Sequence, residues 1–224
     1  MNQIFAGYKW VALFDDRDIF IEGLVTTLEV AVGALILSLI LGIIFGVAGV
    51  LPQKWIRCVN RVYVEFFQNT PLVIQAIFLY HALPHLHIML PVTAIGILGV
   101  GIYSGAYVSE IFRSGINSIP KGQMESGLSQ GFSYWKTMWY IIIPQAKRMM
   151  LPALGNQSIN IIKNTSVLAM IAGGDMMYVA DSWAGSNMYY GPAYLSIGLV
   201  YWIICFLMTK YVKHLEIKGE VGSV

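Results

Sequence analysis

A chain of 224 residues that is 57% hydrophobic and only 12% charged departs from soluble composition, in which charged side chains make up about a quarter. The length suits a single domain, and the composition asks for a lipid membrane around it. A net charge of +2 is too small to indicate a nucleic-acid partner, and Cys58 and Cys205 lack metal or redox spacing and read as packing residues.

Residues 1–18 mix Trp10 with Asp15, Asp16 and Asp18 around Arg17, which suits an external segment holding an interfacial helix. No basic start precedes the first apolar run, and that run is longer than a signal core, so a removable leader is not expected. Residues 19–51 carry only two charges, Glu22 and Glu29, and exceed the roughly 20 residues needed to span a bilayer. Either this helix tilts, or its first turns, with both glutamates, lie at the surface. Residues 52–61 hold Lys54, Arg57 and Arg61 and no acid. A second span is expected at 62–83, kinked where Pro71 removes a backbone hydrogen bond after Gln68, Asn69 and Thr70.

The third expected span, 92–111, is rich in glycine. Residues 113–150 are polar in their first half and hold five cations: Arg113, Lys121, Lys136, Lys147 and Arg148. The fourth span, 151–172, carries Asn156, Gln157, Ser158, Asn160, Lys163, Asn164, Thr165 and Ser166. Such polarity must face protein or a water-filled path. A fifth span at 193–209 is followed by Lys210, Lys213 and Lys218, with residues 214–224 as a tail. The loops after spans two and four contain no lysine or arginine, whereas the other three connecting regions hold three, five and three. The excess of cations on the cytoplasmic side then places the N-terminus outside and the C-terminus inside. The reading is an all-α integral membrane protein of five transmembrane helices.

Local signals within 113–150 predict a bracket of two short helices. Pro120 suits the start of a helix over 121–130, and Gly131 suits its left-handed end. Ser133 is placed to cap a second helix, which Pro144 limits. The order Glu125, Gly131, Ile141, Ile143, Pro144 resembles the glutamate–alanine–alanine loop of ABC importer permeases, which docks into the ATPase subunit. The run at 107–113, the segment 115–122, Pro144 with Gln145 and Ala146, and Asn69 to Leu72 are similar to the polar amino-acid branch of that family. The resemblance covers roughly residues 20–213. Ser126 and Gly127 stand where the family motif has two alanines. A glycine in a helix interior costs about 1 kcal/mol against alanine, yet both residues stay small enough for close approach to a partner.

The resemblance implies a type I importer permease fold in the plasma (inner) membrane of a prokaryote. It implies import of a polar or charged amino acid, with ATP and magnesium bound by two partner ATPase subunits and no cofactor on this chain. It also implies a second permease subunit, identical or homologous, and an external solute-binding protein that delivers substrate. Glu125, Ser126, Gly127, Gly131, Ile141 and Pro144 would form the ATPase-coupling element.

No phosphate-binding glycine loop occurs in the chain, so an ATP-driven process needs another subunit. Gln68, Asn69, Thr70 and Gln75 are candidates for a substrate path or, equally, for helix–helix hydrogen bonding around Pro71. Asn156 and Asn160 share a helical face with Lys163 and are further path candidates. Glu65 is a candidate gate residue or a partner for Arg61 one turn away. Glu110 and Lys163 are candidates for a structural salt bridge or a cytoplasmic gate. His81 and His85 lie one turn apart, but Pro84 interrupts and no acid completes a set, so no metal is expected. No nucleophile–base pair suggests catalysis. The competing reading is a secondary transporter or channel subunit without an ATPase, which the bracket and the lack of an internal repeat disfavour.

Overall fold

A computed structural model describes residues 6–221, with side chains through residue 215. Residues 1–5 of the expected external segment and 222–224 of the expected tail lie outside the described residues, as does the side chain of Lys218. Among the described residues all regular structure is helical. In chain order these are α1 (Gly7–Asp15), α2 (Arg17–Ala48), α3 (Lys54–Gln68), α4 (Leu72–His85), α5 (Val92–Asn117), α6 (Lys121–Ser129) and α7 (Tyr134–Thr137). A π-helical turn (Met138–Ile142) leads into α8 (Ile143–Asn164), a 3-10 segment (Thr165–Ile171), α9 (Met176–Asn187) and α10 (Tyr190–Val221).

The most extensive helix pair is α2 with α5. Small residues allow the approach: a Cβ on Gly42 would meet Val108 Cγ1 at 2.2 Å, and one on Gly46 would meet the Ser109 carbonyl oxygen at 2.7 Å. Gly33 faces Ile97, Gly42 faces Val108 and Gly46 faces Phe112, so α2 and α5 run in the same direction. The other long elements run alternately against them. Gly99 of α5 touches Ala76 and Leu79 of α4, while Gln68 of α3 bonds Ala106, so α4 is antiparallel to α5. Gly96 faces Leu168 and Gly115 faces Met150, which makes α8 and its 3-10 continuation antiparallel to α5. Gly155 faces Val212, and α10 accordingly returns antiparallel to α8.

Three apolar clusters follow from this arrangement. The central one joins Val30 and Ala34 of α2, Ile95 and Val100 of α5, and Ile161, Ile162 and Leu168. At one end α9 packs on α10 and the start of α2 through Met176, Trp183 and Ile197, with Leu13 of α1 against them. At the other end Ile116, Met138, Ile142 and Met150 join the bracket to α5.

Among the described residues three helices are long and apolar enough to cross a membrane: α2, α5 and the Tyr190–Leu215 part of α10. Helices α3 and α4 pass only as a pair, bent by 99°. The expected kink at Pro71 is therefore a corner. Helix α3 also starts at Lys54, inside the stretch expected to be a connecting loop. Pro71 sits in extended conformation as the N-cap of α4 (φ −58°, ψ 131°), so its missing N–H costs no helical bond. Pro84, expected to disrupt a helix, lies in the last turn of α4, which continues to His85. Helix α2, with 32 residues, is about 48 Å long against a hydrocarbon core of roughly 30 Å. That excess length fits either a tilted helix or first turns, holding Glu22, beyond the core.

Candidate functional site

The bracket forms as its sequence dictates. Pro120 is the N-cap residue of α6, and Gly131 adopts φ +84°. The Phe132 N–H donates to the Gly127 carbonyl at 3.1 Å and the Gly131 N–H to the Leu128 carbonyl at 3.0 Å. This paired pattern is a Schellman end, and it satisfies carbonyls that the helix terminus would leave open. The Ser133 hydroxyl accepts from the Lys136 N–H at 3.3 Å and caps α7. Pro144 does not end the second helix. It sits in the first turn of α8, directly after the π turn. A proline inside a regular helix removes one bond and clashes with the carbonyl four residues back. The wider π turn absorbs that misfit, so chain direction carries from Ser133 through to Asn164.

Each coupling candidate is thereby placed. Glu125 and Ser126 are exposed on α6, and Gly131 and Pro144 are exposed beside it. Gly127 differs from expectation: it is buried, and a Cβ there would meet Thr137 Cγ2 at 2.5 Å. The close approach that this glycine permits is between α6 and α7, inside the bracket. Ile141 closes the same contact, 3.2 Å from that Cβ position. The Tyr134 hydroxyl donates to the Val50 carbonyl at 3.4 Å and ties the bracket to the end of α2, and burial raises the Tyr134 phenol above its ordinary value.

The polar cluster around Pro71 makes hydrogen bonds within the corner and one to α5, with the buried Gln75 Oε1 left without a partner among the described residues. Buried Gln75 donates from Nε2 to the Phe67 carbonyl at 3.1 Å and the Thr70 carbonyl at 3.0 Å. Asn69 donates to the Glu65 carbonyl, Thr70 to the Phe66 carbonyl, and Gln68 to the Ala106 carbonyl at 3.2 Å. These side chains close the last turn of α3 and hold the corner. Glu65 pairs with Arg61 at 2.7 Å in the open.

Glu110 and Lys163 do not meet. Glu110 pairs with Arg113 on its own helix and accepts from Ser114 Oγ. Lys163 lies beside Met177, Tyr194 and Tyr201, at the α9 end of the molecule. The reason is helix length. Helix α8 starts at Ile143, so Lys163 lies about 30 Å along it.

A cleft of about 470 Å³ opens between α5 and α8, where Tyr107, Glu110 and Ser114 face Gln157, with Gln68 at its edge. Tyr107 and Ser114 follow Glu110's face at spacings of three and four, a signal that sequence reading passed over. Asn156, Asn160 and Lys163 continue along α8 at the same spacing, and all three are exposed. Asn160 makes one long contact, 3.5 Å to Gln157 Oε1. Among the described residues no three His, Cys, Asp or Glu side chains converge as metal ligands.

The chain and its fold resemble known transport proteins. A family model described as binding-protein-dependent transport system inner membrane component matches residues 38–218. A probable glutamine ABC transporter permease protein, GlnM of Bacillus subtilis, is 36% identical over 208 residues, covering 93% of this chain and 96% of that protein. The glutamine transport system permease protein GlnP of Escherichia coli K12 is 34% identical over 217 residues, covering 96% and 99%. A crystal structure of an amino acid ABC transporter with histidines superposes with a TM-score of 0.86 at 29% identity, covering 93% of this chain and 98% of that one. The MetNI methionine ABC transporter in inward-facing form shares the fold, with a TM-score of 0.75 at 14% identity. The class is an all-helical type I importer permease. The chain belongs to the family of binding-protein-dependent transport system inner membrane components, and it is a multi-pass permease subunit of the inner membrane.

Proposed function

We propose that this permease carries a polar or charged amino acid into the cell, with glutamine the first candidate because GlnM and GlnP bear that substrate in their names. The observation that carries the reading is the open polar face of α8, with Asn156, Asn160 and Lys163. Uncompensated amides and an ammonium do not face hydrocarbon. The face is instead one wall of a water-filled path, completed by a second permease subunit, identical or homologous. Its donors and acceptors suit the amino, carboxylate and amide groups of an amino acid.

The arrangement takes five traverses, α2, α4 reached through the α3 corner, α5, α8 with its 3-10 end, and α10, and their alternating direction supports it. The N-terminus lies outside and the C-terminus inside, in keeping with the cation distribution. Residues 113–150 then form the cytoplasmic coupling loop. Two ATPase subunits bind ATP and magnesium, a solute-binding protein delivers substrate from outside, and Glu125 to Gly131 docks on the ATPase. The test is uptake by the reconstituted transporter with unlabelled amino acids as competitors. Glutamine is expected to compete best, and Asn160→Ala to raise KM about tenfold, the loss of one or two hydrogen bonds to substrate. Uptake unaffected by any polar amino acid overturns the substrate class.

A further inference from the structure

Helix α3 divides its circumference into three faces. Asn60, Tyr63 and Phe67 turn inward: Asn60 Oδ1 accepts from Ser109 Oγ at 2.8 Å, and the Tyr63 hydroxyl donates to the Ile102 carbonyl at 2.7 Å. Trp55, Val59, Val62 and Phe66, spaced four, three and four apart, form an apolar face that is 54–71% exposed. Lys54, Arg57, Arg61 and Glu65 form the third face. The 99° corner with α4 fixes what these faces meet. Helix α4 runs antiparallel to α5, so α3, turned 99° from it, lies across the end of α2 rather than along the bundle. A helix so placed turns its exposed apolar side to hydrocarbon and its charged side to headgroups.

The charged face borders a cavity of about 570 Å³, walled on the far side by Gly49 of the α2–α3 connection and by Glu110 and Arg113 of α5. Four cations therefore meet two carboxylates. Both carboxylates are occupied, Glu65 by Arg61 at 2.7 Å and Glu110 by Arg113 Nε at 2.8 Å. Arg57 spends Nη1 on the Leu51 and Pro52 carbonyls at 2.9 and 3.0 Å, which neutralises none of its charge. Lys54 has no hydrogen bond or ion pair among the described residues. The cavity is left with uncompensated positive charge at headgroup depth, beside an apolar stripe.

We infer that this cavity, at the junction of α2, α3 and α5, binds the phosphate of an anionic phospholipid whose acyl chains lie along Trp55, Val59, Val62 and Phe66. A basic pocket between membrane helices is a recognised setting for such headgroups. A free phosphate ion would satisfy the same charges and make no use of the stripe, so the two sources are separable. The inference does not depend on which side is cytoplasmic, because headgroups border both.

The test is native mass spectrometry of the full chain, titrated with phosphatidylglycerol against phosphatidylcholine. The wild type is expected to retain phosphatidylglycerol preferentially. Lys54→Gln, which removes a charge engaged in no ion pair among the described residues, is expected to lower that preference about fivefold, the effect of one cation near an anionic surface. Arg61→Gln is expected to lower it as much or more, and Lys213→Gln on α10 to leave it unchanged. Millimolar inorganic phosphate is expected not to displace the lipid. Equal loss in Lys213→Gln, no preference in the wild type, or displacement by inorganic phosphate each overturns the lipid site.

Discussion

At the residue scale, the same side-chain chemistry takes different roles according to where the backbone leaves carbonyls open. Gln75 and Asn160 are both amides on helices of the bundle. Gln75 is buried and donates to two carbonyls at the end of α3, whereas Asn160 is exposed on α8 with one long contact. Their substitutions separate accordingly. Gln75→Ala leaves the Phe67 and Thr70 carbonyls without that donor, at a cost of about 1–3 kcal/mol. The expected result is a lowered thermal midpoint of the purified protein, with the KM of the surviving transporter unchanged. A normal midpoint with a raised KM would return Gln75 to the substrate path. Sequence spacing offered both readings for this amide. It lacked the corner that decides between them, because the 99° turn is set by packing of α3 and α4 on α5 rather than by Pro71 alone.

At the element scale, α9 depends on a buried carboxylate. Asp175 is inaccessible to solvent and caps α9 by accepting from the Met177 N–H at 3.0 Å and the Tyr178 N–H at 3.3 Å. Burial pushes its pKa up to about 6, against the lowering effect of those N–H groups. The sign follows from proton binding. Between about pH 4 and pH 6 the folded protein holds a proton at Asp175 that the unfolded chain has lost, so stability falls as pH rises through that window. The expected outcome is a thermal midpoint that declines from pH 4 to pH 6, with a decline that Asp175→Asn flattens because an amide does not titrate there, while its oxygen still caps α9. An unchanged slope in Asp175→Asn would assign the pH dependence elsewhere. The element itself was not legible in the sequence, where residues 173–192 read as a polar loop. The bracket was legible, since Gly131, Ser133 and Pro120 each carry a local signal that needs no tertiary partner. Pro144 misled, because a π turn can absorb a proline that a regular helix cannot.

At the scale of the whole molecule, the proposed membrane arrangement rests on alternating helix directions and the distribution of cations. Three spans were plain from composition. The expected second and fourth spans were harder to read, one because the chain turns 99° between α3 and α4, the other because α8 carries an exposed polar face. Orientation is tested by labelling intact cells with an impermeant thiol reagent, in a background with Cys58 and Cys205 replaced by serine. Ser186→Cys on α9 is expected to react and Ser129→Cys on α6 to be protected, both side chains being exposed on the protein surface. The reverse pattern would invert the topology.

The central claim is that residues 125–144 couple ATP hydrolysis on a partner to movement of the spans. Gly131 has open space around it, so the cost of a side chain there lies in the backbone at φ +84°. A β-branched residue in that conformation costs about 1–3 kcal/mol, whereas asparagine visits it readily. The decisive measurement is ATPase activity of the reconstituted complex with and without substrate-loaded binding protein. Gly131→Val and Glu125→Lys are expected to insert normally and to lose substrate stimulation, and Gly131→Asn to retain most of it. Wild-type stimulation in both Gly131→Val and Glu125→Lys would contradict the account.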